Sequence, residues 1–226
     1  MTTLILGANG PLGIAFVRQL LAAGQSVIAA VQVPQRIPPA LHDLRDEHAS
    51  LLTALVWSAN SAPAIPPIAR AIITELPIPP VQTDEAPDAT ADIRALTIDA
   101  MVADVRSTLT LTLSAIQLVA RLHPARALIQ ASWLGSIEDK IRGGGYNIAV
   151  AHAAQLMLVR AAALDLCRAG TTTIVGNAGR YRLDMAGPEF HAEVDDVAKG
   201  LLAVLDGAVS GAEPEFRDWR GAVRHW

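Results

Sequence analysis

The sequence opens with Leu4-Ile5-Leu6-Gly7-Ala8-Asn9-Gly10-Pro11-Leu12-Gly13, a short apolar run that leads into three glycines spaced G-x-x-G-x-x-G. A helical pattern follows over residues 14–21 and closes at Gly24. A strand, a glycine turn and a helix in this order are typical of the first half of a Rossmann unit, in which the start of the helix faces a pyrophosphate. The stretch therefore predicts a dinucleotide-binding type of fold.

Each glycine of this turn has its own predicted role. Gly7 permits the tight turn, Gly10 lets the backbone approach a pyrophosphate, and Gly13 lets the helix pack against the strand. Pro11 suits the first helical turn, where a missing N–H loses no hydrogen bond. The predicted cofactor-binding residues are Gly7, Asn9, Gly10, Leu12, Gly13 and Gln32.

Gln32 follows the second predicted strand, at the position where a Rossmann protein selects its cofactor. An acidic residue there hydrogen-bonds the ribose of NAD, whereas an arginine pairs with the extra phosphate of NADP. Glutamine does neither strongly. NAD and NADP therefore both remain open as cofactors.

The composition predicts one folded domain over residues 1–226. Hydrophobic residues make up 51% and charged residues 18% of the 226 positions, which is enough to build a sizeable core. The net charge of −4 argues against nucleic acid as a partner. A single cysteine, Cys167, excludes a disulfide within the chain and a thiolate metal cluster.

The start of the chain reads as a strand and a turn rather than a signal peptide. The sequence also suggests no apolar run of the roughly 18 residues that a membrane span requires. We therefore expect a cytoplasmic protein with no membrane partner.

Apolar runs and helical patterns alternate along the rest of the chain. We predict further strands over residues 26–31, 52–57, 126–131 and 171–175, and helices over residues 39–48, 98–122, 146–167 and 194–205. This alternation predicts an α/β fold: a single-domain, Rossmann-like, doubly wound parallel sheet with helices on both faces.

Between residues 60 and 92 the pattern is weaker. Asn60 or Ser61 is expected to cap a helix that ends near Leu76. A fourth strand is expected over residues 76–81, short or distorted because its three prolines cannot donate ladder hydrogen bonds. The polar residues 82–92 are then expected to form a surface loop.

Four stretches resemble the short-chain dehydrogenase/reductases, and within them the small C-factor and sniffer-type carbonyl reductases. The run from Ala131 to Ile137 (A-S-W-L-G-S-I) and Gly143-Gly144-Gly145-Tyr146 resemble two of the family's motifs. Residues 179–188 are similar to the family's P-G-W-V-R-T-D-M-G-G-P. Residues 216–221, with the final Trp226, resemble its closing F-x-D-x-x-G and terminal P-W. The resemblance thus extends over the whole chain.

The resemblance implies NAD(P)-dependent oxidation or reduction of a carbonyl or alcohol. In the family a tyrosine acts as general acid/base, and a nearby lysine lowers its pKa and binds the nicotinamide ribose. A serine holds the substrate oxygen, and an asparagine positions a water. A phenol that ionises near neutral pH needs such a cation within about 4–6 Å.

Carrying these roles onto the sequence exposes a missing pair. Ser132 matches the family's serine, but the ungapped pattern places Ile148 at the tyrosine and His152 at the lysine. The alternative register takes Tyr146 as the acid and then places Val150 at the lysine. Two helical positions differ by about 200° of rotation, so Tyr146 cannot share the face of residue 148. The candidate catalytic residues are Ser132, Tyr146 and His152, without a Tyr–Lys pair.

Other family positions also differ. Arg106 stands about where the asparagine is expected, and Ala178 replaces the proline beside the nicotinamide. The aspartate near the adenine falls at Trp57 or Ser58. The family's N-N-A-G run has no match, and either residues 79–81 or residues 57–60 occupy its place.

Three hypotheses follow. The first is a non-catalytic structural or regulatory subunit that pairs with itself or with a related short-chain dehydrogenase through its two long helices. The second is an NAD(P)-dependent oxidoreductase that uses Ser132 with Tyr146 or His152 as an unusual acid. The third is a redox-neutral isomerase, lyase or cyclase that reuses Ser132, His152 and Arg106. The missing Tyr–Lys pair favours the first.

Overall fold

The computed structural model describes residues 1–32, 37–58, 64–74, 93–179, 181 and 192–226. Within these residues, seven parallel strands form one sheet in the order β3-β2-β1-β4-β5-β6-β7. The strands are β1 (Thr2–Leu6), β2 (Ser26–Gln32), β3 (Leu52–Trp57), β4 (Arg70–Ile73), β5 (Arg126–Gln130), β6 (Thr172–Asn177) and β7 (Phe216–Asp218).

The helices lie on both faces of this sheet. They are α1 (Pro11–Ala22), α2 (Pro39–Glu47), α3 (Ile98–Leu122), α4 (Tyr146–Arg168) and α5 (Val194–Asp206). Apolar side chains of α1, α2 and α5 pack on one face, and those of α3 and α4 pack on the other. The predicted doubly wound α/β architecture is confirmed.

The strand order reverses between β1 and β4, where β1 pairs with β2 on one side and with β4 on the other. The crossovers leave β1 and β4 in opposite directions around the sheet, so a crevice forms outside their carboxyl ends. The glycine turn after β1 and the polar residues after β4 and β5 border this crevice. The fold therefore places the candidate site at the usual ligand-binding edge of an open α/β sheet.

The prediction between residues 60 and 81 was wrong where the structure tests it. Residues 64–68 are not helical, and the fourth strand is Arg70–Ile73, ahead of the predicted residues 76–81. A three-residue apolar run such as Ala71-Ile72-Ile73 cannot be distinguished from a helix segment by periodicity. The predicted helix cap at residues 60–61, the predicted strand and most of the surface loop lie outside the described residues.

Two further differences concern strand β7 and helix α4. Strand β7 pairs with β6 at the sheet edge, although the sequence was not read as a strand there. By length and composition alone, α4 is long and apolar enough to cross a membrane, contrary to the expectation from the sequence. A core helix of a soluble protein meets the same criterion, and α4 packs against α3 and β6.

Candidate functional site

The glycine turn has the geometry that the sequence predicted. Gly7 has a φ of +95°, and the backbone N–H groups of Gly7 and Ala8 both donate to the carbonyl of Ala30 at 3.2 Å. A Cβ atom on Gly13 would lie 2.3 Å from the carbonyl oxygen of Gly7 and 2.8 Å from the Cα of Ala8. Helix α1 can therefore approach β1 this closely only with glycine at position 13.

The start of α1 is suited to an anion. Gly10 is the N-cap and Pro11 follows it, with neither a side-chain cap nor an acidic residue in the first turn. The positive end of the helix dipole is thus not neutralised by the helix's own side chains. Asn9 is partly exposed at this end, whereas the side chain of Leu12 is fully buried in the core. Leu12 could therefore contact a dinucleotide only through its backbone.

The adenosine end of the crevice differs from the family pattern. Gln32 ends β2, is partly exposed, and pairs in register with Trp57 at the end of β3. The Trp57 side chain is 2% exposed and belongs to the apolar core under α3 and α4. Trp57 and Ser58 are the two positions at which the resemblance places the family's adenine-side aspartate. Neither is acidic, and Trp57 is part of the core.

Ser132 lies just beyond β5. It caps a short 3₁₀ turn, Trp133–Gly135, and its hydroxyl oxygen accepts a 3.2 Å hydrogen bond from the backbone of Leu134. A Cβ atom on Gly135 would lie 2.4 Å from the carbonyl oxygen of His152, so this turn packs directly on α4. Ser132 and His152 are thus carried by two elements in immediate contact.

Tyr146 is the first residue of α4, directly after Gly145, whose φ is +60°. The amino group of Lys140 donates to the carbonyl of Gly144 at 2.7 Å, and it lies 3.7 Å from the position of a Cβ on Gly145. Lys140 therefore stabilises the glycine loop. This role could not be predicted from the family pattern, because Lys140 precedes the loop and the family's lysine follows it on α4.

His152 faces α3 rather than an acidic or cationic group. Its Nδ1 lies 3.3 Å from Oε1 of Gln155, and Nε2 of Gln155 donates to the hydroxyl of Thr112 at 3.0 Å. Burial lowers the pKa of His152, and the hydrogen bond with Gln155 only partly offsets this effect. The lowered pKa favours the neutral imidazole, at the position that the resemblance assigns to the family's lysine.

Arg106 lies on the solvent-exposed side of α3, and its carbonyl accepts a 2.7 Å hydrogen bond from the hydroxyl of Thr110. It is exposed on α3, while Thr108 and Thr112 are the buried polar side chains of that helix. The expectation that Arg106 stands at the position of the family's asparagine stays a prediction, and the structure places its side chain toward solvent. Thr112 and Gln155 are the polar site residues that sequence reasoning missed. Their only signal was a polar residue on the apolar face of each long helix.

A second polar contact lies at the carboxyl ends of β4 and β5. Thr74 is fully buried, and its hydroxyl donates to Oε1 of Gln130. Thr74 directly follows β4, which ends at Ile73. Of the two placements predicted for the family's N-N-A-G run, residues 79–81 and the second half of residues 57–60 lie outside the described residues, so both placements stay predictions.

Ala178 is buried directly after β6, as the resemblance placed it. It precedes Gly179, whose φ is +66°. The side-chain oxygen of Asn177 accepts a 3.1 Å hydrogen bond from the backbone of Gly179. The chain can thus turn here without the family's proline.

A groove of about 810 Å³ lies elsewhere, between the start of β6, the end of α5 and residues 212–221. Ser132, Tyr146, His152 and the glycine turn do not line it. Among the described residues, no cluster of three or more His, Cys, Asp or Glu side chains could hold a metal ion.

The comparisons with known proteins agree with the fold. No family model matches the chain. C-signal of Myxococcus xanthus is 32% identical over 95 residues, which cover 42% of this chain and 57% of that protein. The match thus spans little more than half of that relative.

Several solved structures match the whole chain. A carbonyl reductase from Pseudomonas aeruginosa PAO1 in complex with NADP has a TM-score of 0.75 at 19% identity, covering 100% of this chain and 99% of that one. The carbonyl reductase Sniffer of D. melanogaster has a TM-score of 0.74 at 16% identity with the same coverage. The NADPH-bound carbonyl reductase from chicken fatty liver has a TM-score of 0.71 at 22% identity, covering 100% and 98%.

The fold is thus that of the Rossmann-like carbonyl reductases. The predicted resemblance is confirmed: the chain resembles the short-chain dehydrogenase/reductases, and among them the C-factor and sniffer type.

Proposed function

We propose that this chain is a short-chain dehydrogenase/reductase-like protein without the family's Tyr–Lys pair. In this proposal it serves as a non-catalytic structural or regulatory subunit that dimerises through α3 and α4. One observation carries the proposal: at the position of the family's lysine stands His152, a half-buried imidazole tied to Gln155 and held neutral by burial.

The missing charge matters for the chemistry. A phenol in water ionises near pH 10, so a tyrosine general acid/base needs a cation close to its oxygen. A neutral imidazole supplies none. Lys140, the lysine closest in sequence to Tyr146, donates to the carbonyl of Gly144. Tyr146 itself starts α4, two positions away from the residue that the family's register requires.

The outer surfaces of the two long helices support the dimer. Helices α3 and α4 pack against each other, and each leaves large apolar side chains exposed. These side chains are Ile98, Val102, Leu113, Val150 and Met157. Apolar side chains exposed on these two packed helices favour an isologous contact with a second copy or with a related short-chain dehydrogenase.

A specific observation favours a second candidate, an NAD(P)-dependent oxidoreductase with an atypical acid. The turn around Gly7 and Gly13 keeps the close strand–helix approach, and the start of α1 is suited to a pyrophosphate. Two of the three solved structures described above hold NADP or NADPH. Ser132 with Tyr146 or His152 would then handle the proton. A redox-neutral isomerase, lyase or cyclase would instead reuse Ser132, His152 and Arg106.

Sedimentation velocity of Met157→Arg tests the subunit proposal. Met157 is 67% exposed on α4, so a charge there disrupts an apolar contact without entering the core. We expect the wild type to sediment as a dimer and Met157→Arg as a monomer. Val209→Arg is the matched control, because Val209 is 72% exposed but lies beyond the end of α5. A monomeric wild type, or equal effects of both substitutions, would contradict this dimer.

A further inference from the structure

His152 lies on the inward face of α4, near the start of that helix. At 3.6 residues per turn it shares this face with Leu156, Val159 and Ala163, which are all buried. An imidazole in such an apolar stripe loses much of the hydration that its charged form has in water. The ring therefore lies where a positive charge is costly.

The polar contact of the His152 ring does not compensate for this cost. Its Nδ1 lies 3.3 Å from Oε1 of Gln155, and this is the ring's only hydrogen bond within the described part of the chain. An amide oxygen carries no net charge, so it stabilises an imidazolium less than a carboxylate does. Burial is accordingly the larger of the two effects on the pKa of His152, and it lowers that pKa.

The charged side chains of the neighbouring elements do not offset this effect, because burial and the bond to Gln155 are the only two causes of the lowered pKa. Tyr146, at the start of α4, lies about 120° around the helix from His152. The remaining titratable side chains on the described neighbouring elements are exposed or bonded to other groups, and they are Asp104 and Arg106 on α3, Glu138, Asp139, Lys140 and Arg142 in the loop before α4, and Arg160 on α4.

The 3₁₀ turn Trp133–Gly135 is a short element that packs on this part of α4. A Cβ on Gly135 would lie 2.4 Å from the carbonyl oxygen of His152 and 2.9 Å from the backbone nitrogen of Ala153, so the two backbones are in direct contact. The amides of Leu134 and Gly135 donate to Ser132, at 3.2 Å to Oγ and 3.1 Å to the carbonyl. These bonds are internal to the turn, so they do not fasten it to α4.

We propose that His152 makes the seating of this turn on α4 sensitive to acid. The neutral imidazole favours the seated turn, and a proton on the ring favours a conformation in which Trp133–Gly135 lifts from α4 and water reaches the ring. Ser132 is the N-cap of the turn, so the same movement displaces the candidate serine hydroxyl. This inference goes beyond the proposed function and does not depend on dimerisation or on a nicotinamide cofactor.

Proton binding sets the direction and the limit of the effect. With the turn seated, the pKa of His152 is below the ordinary value of 6.5, and in the lifted conformation, where water surrounds the ring, it returns toward that value. The preference for the seated turn is therefore complete above about pH 6.5 and is lost as the pH falls below it. Between pH 7.5 and pH 5, one proton can raise the population of the lifted conformation by at most about thirtyfold.

Amide hydrogen exchange of the full chain, followed by NMR at pH 7.5 and pH 5 and corrected for the intrinsic rate at each pH, tests this device. A single 3₁₀ turn is not stable away from its packing surface, so the amides of Leu134 and Gly135 exchange when the turn lifts. We expect their protection to fall between about threefold and thirtyfold. Gly24 and Gln25, whose amides bond carbonyls at the end of α1, should keep theirs. A smaller fall in the turn, or an equal fall at Gly24 and Gln25, would overturn the proposal.

Variants at position 152 identify the group that binds the proton. His152→Gln cannot take up a proton in this range, so we expect its turn to be equally protected at both pH values. His152→Leu is a second test, because an apolar side chain suits the inward face of α4. His42→Gln is the matched control, since His42 is exposed on α2 and its loss should leave the wild-type response unchanged. A pH response that persists in either His152 variant would overturn the proposal. Neither result bears on the dimer, which sedimentation tests separately.

Discussion

Gly13 is a residue whose role can be tested by adding a single carbon. A Cβ there would meet the carbonyl oxygen of Gly7 at 2.3 Å, and backbone atoms on both sides cannot move aside as a side chain can. We expect Gly13→Ala to lower the free energy of unfolding by about 3 kcal/mol, a typical cost of overpacking.

Gly143→Ala is the control for this substitution, because a Cβ at Gly143 has nothing within 4 Å. We expect its free energy of unfolding to stay within about 0.5 kcal/mol of the wild type. Chemical denaturation of the three proteins gives both values. If Gly13→Ala is as stable as Gly143→Ala, the close contact between β1 and α1 is wrong.

His152 gives a prediction about pH. Its folded-state pKa lies below the ordinary value of 6.5, so the unfolded chain binds more protons as the pH falls through that region. Its contribution to stability is therefore complete above about pH 6.5 and is lost as the pH falls further. We expect the wild type to lose more stability than His152→Gln between about pH 7.5 and pH 5. Equal losses in denaturant titrations would show that the imidazole is not desolvated.

At the scale of elements, the C-terminal segment is bound to the loop that links Ser132 to Tyr146. The ring of Trp226 packs 5.6 Å from that of Phe216, with the guanidinium of Arg160 4.8 Å from its centre. Arg224 forms a 3.0 Å ion pair with Asp139 in the loop. The last residues of the chain therefore help to hold the segment that carries the candidate site.

Limited trypsin digestion tests this attachment. Lys140 and Arg142 are exposed in the loop, so local opening makes the bonds after them cleavable. We expect Trp226→Ala to speed cleavage there about tenfold, equivalent to roughly 1.4 kcal/mol of local stability, with cleavage after Arg121 in α3 unchanged.

Arg220→Ala is the matched control for digestion, since Arg220 stacks on Trp219 rather than on Trp226. In Arg220→Ala we expect the loop that contains Lys140 and Arg142 to be cleaved at the wild-type rate. Faster cleavage at all sites in Trp226→Ala would indicate global destabilisation, and an unchanged loop would contradict the attachment.

The elements with strong patterns could be predicted from the sequence, and the short ones could not. Helices α3 and α4 start at or within a residue of their predicted positions because their apolar spacing persists over many turns. Strand β4 has four residues, and its place at the centre of the sheet depends on pairing with β1 and β5. Such long-range pairing leaves no local signal, so the strand was placed too late in the chain.

At the scale of the whole molecule, the sequence predicted the glycine turn, and the resemblance assigned Ile148 and His152 to the positions of the family's tyrosine and lysine. Ser132 and His152 could be identified because each sits in a recognisable motif. The contact from Gln155 to Thr112 joins residues 43 positions apart, and only the packing of α4 on α3 brings them together.

We propose above all that this chain keeps the carbonyl reductase fold without its redox chemistry. Calorimetric titration of the purified protein with NADPH and with NADH tests it most directly, because the result does not depend on knowing a substrate. The account predicts no saturable heat of binding for either cofactor up to millimolar concentrations. Saturable binding with a micromolar dissociation constant would contradict it and would favour the oxidoreductase with an atypical acid.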